Sequence, residues 1–265
     1  MTAGRLEKLK IVFQLGAEPG AEVRIGESTL RQVVKSGGIG DAHALRMIVS
    51  IMERAAIAPE FKRNDGTSIS ASAFVKRVEK EGKWATSIEA GGISFRFGNV
   101  TALKHSFVLV EVKVGGSVKL WDDWVYPFLS ESTFVQAWVS DVEYDHWQNA
   151  NDPLQYTAVG REYGHLPVIT VTSPYPRQVI DTSKNPGRWT LKSGYVEAVG
   201  AMMWLDERFW QCVGEDRKTA VLSADWLDVQ AVADDVVLVK AAGHCFCDES
   251  TSQIQERLRA LLYGT

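Results

Sequence analysis

Glu111 and Lys113 are the residues of this 265-residue chain best spaced for catalysis. They stand two apart in Ser106–Val114, the strongest strand signal in the chain, so both side chains leave one face. A carboxylate and a lysine in that relation form half of the PD-(D/E)xK nuclease pattern. There the carboxylate helps hold Mg²⁺ and the lysine stabilises the transferring group. The pattern also needs an upstream acid. Glu89 and, more remotely, Asp65 are available, and neither follows a proline in the expected context. Glu-x-Lys is equally the composition of a solvated strand face.

Other chemistry-bearing residues are sparser. His244-Cys245-Phe246-Cys247 holds three metal-capable side chains, but no CxxC or HxxxH pair elsewhere completes a tetrahedral set. The expectation is therefore buried thiols and no metal. His43, His105, His146 and His165 are scattered singly. Gly37-Gly38-Ile39-Gly40 precedes a helix but is not a phosphate loop, and neither HExxH nor GxSxG occurs. The chain is read as having no catalytic residues and no cofactor.

The elements that would position these residues read as α+β, with a mixed or mainly antiparallel sheet and a few flanking helices. Strands are predicted at Leu9–Leu15, pairing with Glu22–Ile25 across Glu18-Pro19-Gly20. Others are predicted at Ile93–Phe97, at Ser106–Val114 turning at Gly115-Gly116 into Val118–Trp121, and at Val168–Thr172. Tyr195–Leu205 is apolar almost throughout, and Trp226–Val232 pairs with Val236–Ala241. Helices are predicted at Asp41–Ile57, Ser70–Glu81, Glu215–Ala224 and Ser252–Tyr263. The last would bury Ile254, Leu258, Leu261 and Leu262 and expose Gln255, Glu256 and Arg259. Thr133–Val142 fits helix and strand alike, and Asn149–Pro153 reads as a loop. No long linker divides the chain, so residues 1–265 are expected to form one domain; a lobe boundary, if present, would fall in the proline-bearing connector Tyr175–Gly187.

Composition narrows the function classes. The net charge is −4 and 45% of residues are hydrophobic, which excludes whole-chain disorder and argues against a general nucleic-acid binder. Three cysteines suit a reducing compartment better than a disulfide scaffold. The apolar run near the N-terminus is too short and polar for a signal segment, and no stretch reaches the length of a membrane span. A soluble, cytoplasmic protein is expected.

Charge is unevenly spread. Between Lys119 and Arg161 there is no Lys or Arg, and the seven acids there give the interval −7; against −4 for the whole chain, the remainder carries +3. Trp121, Trp124, Trp138 and Trp147 fall in the same interval, with Tyr126, Tyr144 and Tyr156. A second acidic interval, between Lys218 and Lys240, holds Asp225, Asp228, Asp234 and Asp235 with Trp226. Acids that steer an encounter and aromatics that anchor it make a surface for a basic protein. The competing reading places the tryptophans in the core and the acids in solvated loops.

The C-terminal third carries a resemblance. Met203-Trp204-Leu205, Phe209-Trp210, Gly214, Trp226-Leu227-Asp228-Val229 and Arg257-Leu258-Arg259-Ala260-Leu261-Leu262-Tyr263 follow one another in a succession that resembles the immunity protein 52 family of bacterial polymorphic toxin systems. The likeness is best over about residues 195–263. It implies a non-enzymatic protein of a type VI secretion setting that binds and silences a cognate nuclease toxin with a restriction-endonuclease-like domain. It carries over no site residues. Charge distribution supplies the candidates for toxin contact: Asp122, Asp123, Asp141, Glu143 and Asp145 for charge, with Trp124 and Trp147 as anchors. Direct nucleic-acid or membrane binding is not expected. A Mg²⁺-dependent nuclease using Glu111 and Lys113, and an adaptor of a secretion machine, are the alternatives.

Overall fold

The structure is a computed structural model and describes residues 5–16, 22–25, 28–31, 38–63, 65–84, 86–113 and 121–265. The strands are β1 (Leu6–Gln14), β2 (Glu22–Ile25), β3 (Ser28–Arg31), β4 (Glu60–Arg63), β5 (Ser68–Ser70), β6 (Ile88–Ala90), β7 (Ile93–Val100), β8 (His105–Lys113), β9 (Phe134–Asp141), β10 (Val168–Val171), β11 (Arg177–Ile180), β12 (Thr190–Leu191), β13 (Val196–Glu197), β14 (Met202–Asp206), β15 (Asp228–Ala233) and β16 (Val236–Lys240). The helices are α1 (Asp41–Arg54), α2 (Ala71–Glu81), α3 (Asp122–Leu129), α4 (Val142–Asn149), α5 (Pro153–Ala158), α6 (Glu207–Val213), α7 (Glu215–Leu222) and α8 (Ser252–Tyr263).

Ten strands form one sheet in the order β15-β16-β14-β9-β1-β8-β7-β6-β4-β5. Neighbours run antiparallel throughout, so the fold is α+β with an antiparallel sheet. Alternation along the strands builds two cores. Leu9, Ile11 and Phe13 of β1 join Val108 and Val110 of β8, and Trp204 of β14, beneath α1, α2 and α3. Val12, Val135, Trp138, Met203 and Leu205 face the other way, beneath Phe209 and Trp210 of α6 and Leu258 and Leu262 of α8. β9 is covered on both faces, so every residue of it is buried; most are apolar, and Gln136 is satisfied by the Val196 backbone. That settles Thr133–Val142 as strand, ending where the Asp141 carboxylate accepts from the Tyr144 N–H at 2.8 Å and caps α4.

The segments of the family resemblance lie in β14, in α6, at Gly214 between α6 and α7, at Trp226-Leu227 leading into β15, and in α8. Most of their apolar side chains build or pack against the second core.

Four expectations are corrected. Tyr195–Leu205 is not one strand. The chain breaks between β13 and β14, where a Cβ on Gly200 would sit 2.8 Å from the Val139 carbonyl oxygen, so only glycine allows this approach to β9. In α8 the buried set is Gln255, Leu258, Arg259 and Leu262, while Ile254 is exposed and Leu261 half-buried. The helix is rotated because its polar side chains have work inside: the Gln255 amide donates to the Tyr144 hydroxyl at 3.0 Å and to Thr251 Oγ1 at 2.8 Å, and the Arg259 guanidinium donates to the carbonyls of Pro186 and Arg188. Tyr175–Gly187 is not a plain connector, since it contains β11. Finally, β2 pairs with β3 rather than with β1. The turns expected at Glu18-Pro19-Gly20 and Gly115-Gly116, with residues 118–120 of the expected strand, lie outside the described residues; Trp121 directly precedes α3.

Candidate functional site

A cleft of about 780 Å³ opens between α4, the β10–β11 hairpin and the loop after β16. Asp141, Glu143, Glu162, Asp181, Asp248 and Glu249 supply six carboxylates to its lining. Arg5 and Arg161 are the guanidinium groups there, joined by His165. The walls are aromatic: Tyr144, Trp147 and Tyr156.

Each wall is held by local chemistry. Asp141 ends β9 and is clamped by the Arg5 guanidinium at 2.7 Å. Gln148, on the buried side of α4, donates to Glu249 at 3.0 Å and accepts from the Gly187 N–H at 2.8 Å. Asn149 accepts from the Trp189 N–H at 2.8 Å. These amides tie the loop after β16 and the 185–189 segment to α4 without burying an unpaired charge. Trp147 and Tyr156 pack with ring centroids 4.7 Å apart, and the Arg161 guanidinium lies 4.4 Å from the Trp147 ring centre. With Ala150, Tyr163, Leu166 and Ile180 they form a small third core beneath the hairpin.

Hydrogen bonds to Ser183 and to Ser250 hold the Asp181 and Asp248 carboxyls below the usual carboxylate range. Both are therefore charged at neutral pH. Burial pushes the Tyr144 hydroxyl up to about 12. The cleft thus offers fixed negative charge over aromatic walls, an arrangement suited to a cation or a basic side chain.

The seven residues selected from charge distribution do not form one patch. Asp141, Glu143 and Trp147 line the cleft. Asp145, on the same helix, is paired with Lys8 at 2.5 Å. Asp123 lines a separate groove between α1 and α3, with Arg54 and Tyr126. Asp122 is half-buried in the first turn of α3. Trp124 is only 2% exposed and packs on Phe95, with ring centroids 5.6 Å apart, so it is a core residue and its ring is unavailable as a surface anchor. Glu162, Asp181, Asp248 and Glu249 were missed because they come from other segments. They are neighbours of Glu143 in space and not in sequence.

The nuclease residues lie apart from this cleft. Glu111 stands opposite Lys8 and Ser94, Glu89 stands opposite Ser94 in turn, and Lys113 is exposed at the end of β8. Two strand spacings, roughly 10 Å, separate the Glu89 and Glu111 backbones. Asp65 sits in an exposed turn, bonded to Thr67. No group of three or more His, Cys, Asp or Glu able to hold a metal occurs among the described residues. Cys245 is buried and His244 exposed.

Lys10 is enclosed differently. Its ammonium lies 4.9, 5.5 and 5.3 Å from the ring centres of Phe107, Trp138 and Trp189. Burial lowers its pKa to about 8, opposed by Asp145 and assisted by Lys8 and Arg96. Unfolding returns it to 10.5, so the unfolded chain binds more protons between about pH 8 and 10.5. Lys10's contribution to stability should therefore rise as the pH rises through that window, as the ammonium inside the cage loses its charge. Urea titrations of the native chain and of Lys10→Met should diverge in slope across this window. Parallel curves would refute the assignment.

Among the described residues no helix is long and apolar enough to cross a membrane. No protein-family model matches the chain, so the resemblance to the immunity protein 52 family has no support from that comparison, and no curated protein matches it either. A solved structure does: the Pseudomonas aeruginosa T6SS protein PA0821 aligns over 98% of this chain and 74% of its own, with a TM-score of 0.50 and 12% sequence identity. At that identity the likeness speaks for the fold alone.

Proposed function

We propose that this chain is a non-enzymatic immunity protein of a type VI secretion setting, one that binds and neutralises a cognate nuclease toxin with a restriction-endonuclease-like domain. The observation that carries the reading is the cleft, with its six carboxylates over aromatic walls. A nuclease that grips DNA presents basic residues, and an acidic cleft steers toward them and pairs with them. The fold likeness to a T6SS protein and the C-terminal resemblance support the same setting. Contact is assigned to Glu143 and Trp147, with Glu162, Asp181, Asp248 and Glu249 added from the cleft. Asp141 and Asp145 shape the field while bonded to Arg5 and Lys8. The cytoplasm is the compartment where such a guard would meet a toxin that attacks DNA.

The test is survival. The toxin encoded beside this gene is expressed inducibly in a sensitive bacterium, with and without this protein. Rescue together with a stable complex is the expected result. An active toxin that kills regardless would overturn the proposal, and salt-sensitive binding to another secretion component without rescue would replace it with the adaptor reading. The purified protein is expected to leave DNA and RNA uncut in Mg²⁺ or Mn²⁺. Cleavage that disappears in Glu111→Gln would instead establish the nuclease.

A further inference from the structure

We infer that the outer edge of β10 is a strand-docking site, and that its occupant is an extended segment of a protein partner carrying lysine or arginine. The inference rests on the reading of this chain as a partner-binding protein and names where the partner's backbone is held.

The edge follows from the hydrogen-bond pattern. β10 and β11 form a two-stranded sheet in which Val168 stands opposite Ile180 and Thr170 opposite Gln178. One step beyond, the Asp181 N–H donates to the Pro167 carbonyl at 2.8 Å, so that pair is hydrogen-bonded. Pairs alternate in an antiparallel ladder, so Val168–Ile180 and Thr170–Gln178 are not bonded to each other. The Ile180 N–H indeed turns away and donates to the Asn151 carbonyl at 2.9 Å. By the same alternation Val168 and Thr170 direct their N–H and C=O groups outward, and no described strand pairs with them there.

The sheet edges are handled unequally. At the ends of the large sheet, β15 is charged at Asp228 and bulged between Ala231 and Ala233, while β5 has three residues. Both features blunt pairing with another chain. β10 reads Val-Ile-Thr-Val, uncharged and in unbroken register with β11; Val168 and Ile169 are each 46% exposed. Tyr175, 77% exposed, projects from the turn between the two strands. An edge with β-branched side chains and free backbone groups fits strand addition.

Charge selects the occupant. Leu166 and Pro167, directly before β10, line the acidic cleft, as do Ile180 at the end of β11 and Asp181 just after it. A strand added to β10 therefore ends beside the rim of the cleft that Leu166 and Pro167 line, where basic side chains on it meet the field of the cleft carboxylates. A second copy of this chain would bring the same carboxylates together and be repelled.

The experiment is amide hydrogen exchange on the full chain, free and with the purified toxin domain encoded beside the gene. Protection of the Val168 and Thr170 amides by at least tenfold in the complex is the expected result. Thr170→Pro, which removes one outward N–H, and Val168→Lys, which puts a like charge against the basic strand, should each weaken the complex tenfold or more with unchanged thermal unfolding. A complex that forms while both amides exchange as in the free chain overturns the edge proposal and leaves the binding reading standing. Protection already present in the free chain, growing with its concentration, assigns the edge to a second copy and overturns the proposed occupant. Failure of an active toxin domain to bind at all overturns both.

Discussion

Trp124→Ala should destabilise the protein by about 3–5 kcal/mol, the range for removing a large aromatic from a packed core. The residue projects from the buried face of α3 against Phe95, within a core that also takes Phe128 of the same helix and Phe13 of β1. Its indole therefore ties α3 to the first face of the sheet. Truncation leaves a cavity that the surrounding rings can only partly close. For a chain of this length the melting temperature should fall by on the order of 10 °C. The urea midpoint should drop with an unchanged slope, because the mutation alters stability and not the surface exposed on unfolding. Trp147→Ala provides the contrast. Trp147 is half-buried over the small third core, with Arg161 stacked on it, so its loss should cost less stability and more binding. If Trp124→Ala melts like the native chain but loses partner affinity, the core assignment is wrong and the residue is an anchor after all.

The two tryptophans also show what can be read from a sequence of this kind. Composition announced an acid-and-aromatic interval between Lys119 and Arg161, and the interval does contain part of the cleft. It did not say which way each ring would point. Trp124 and Trp147 have the same type and the same acidic surroundings in sequence, yet one is packed beneath α3 and the other lines the cleft beside α4. Strands were more legible: period-two alternation in β7, where Ile93, Phe95 and Phe97 are buried and Ser94 and Arg96 are not, reports directly on the sheet faces. α8 was legible as a helix and misread in phase. Its apolar pattern pointed Ile254 inward, but Arg259, on the side of the helix that turns in, donates to the carbonyls of Pro186 and Arg188. Long-range hydrogen-bond demand of this sort leaves no local signal. The cleft was hidden for a related reason. Its carboxylates come from α4, from the residues flanking the β10–β11 hairpin and from the loop after β16. Only the fold makes them neighbours.

Neutralising the cleft acids that make no ion pair among the described residues is the sharpest test of the binding surface. Glu143→Gln, Glu162→Gln, Asp181→Asn, Asp248→Asn and Glu249→Gln together should lower affinity for the neighbouring toxin by roughly 100-fold or more, since close charge pairs across such interfaces couple by about 1.5–7 kcal/mol each. Association should slow as well, and the dependence of its rate on salt should flatten, because steering scales with the field that these groups set up. Asp141 and Asp145 are left intact because they are bonded to Arg5 and Lys8 and belong to the frame, and a thermal melt of the variant checks that the bonds from Gln148 to Glu249, from Ser183 to Asp181 and from Ser250 to Asp248 survive on the neutral amides. A matching set on the other groove, Asp122→Asn with Asp123→Asn, separates the two candidate surfaces. Asp123 lies beside Arg54 between α1 and α3 and lines none of the cleft, so this pair should leave affinity within about twofold of native under the cleft assignment. The reverse outcome, with the cleft variants binding normally and the α3 pair failing, would move the interface to the α1–α3 groove. That result would also detach β10 from the partner, because its edge borders the cleft and not α3.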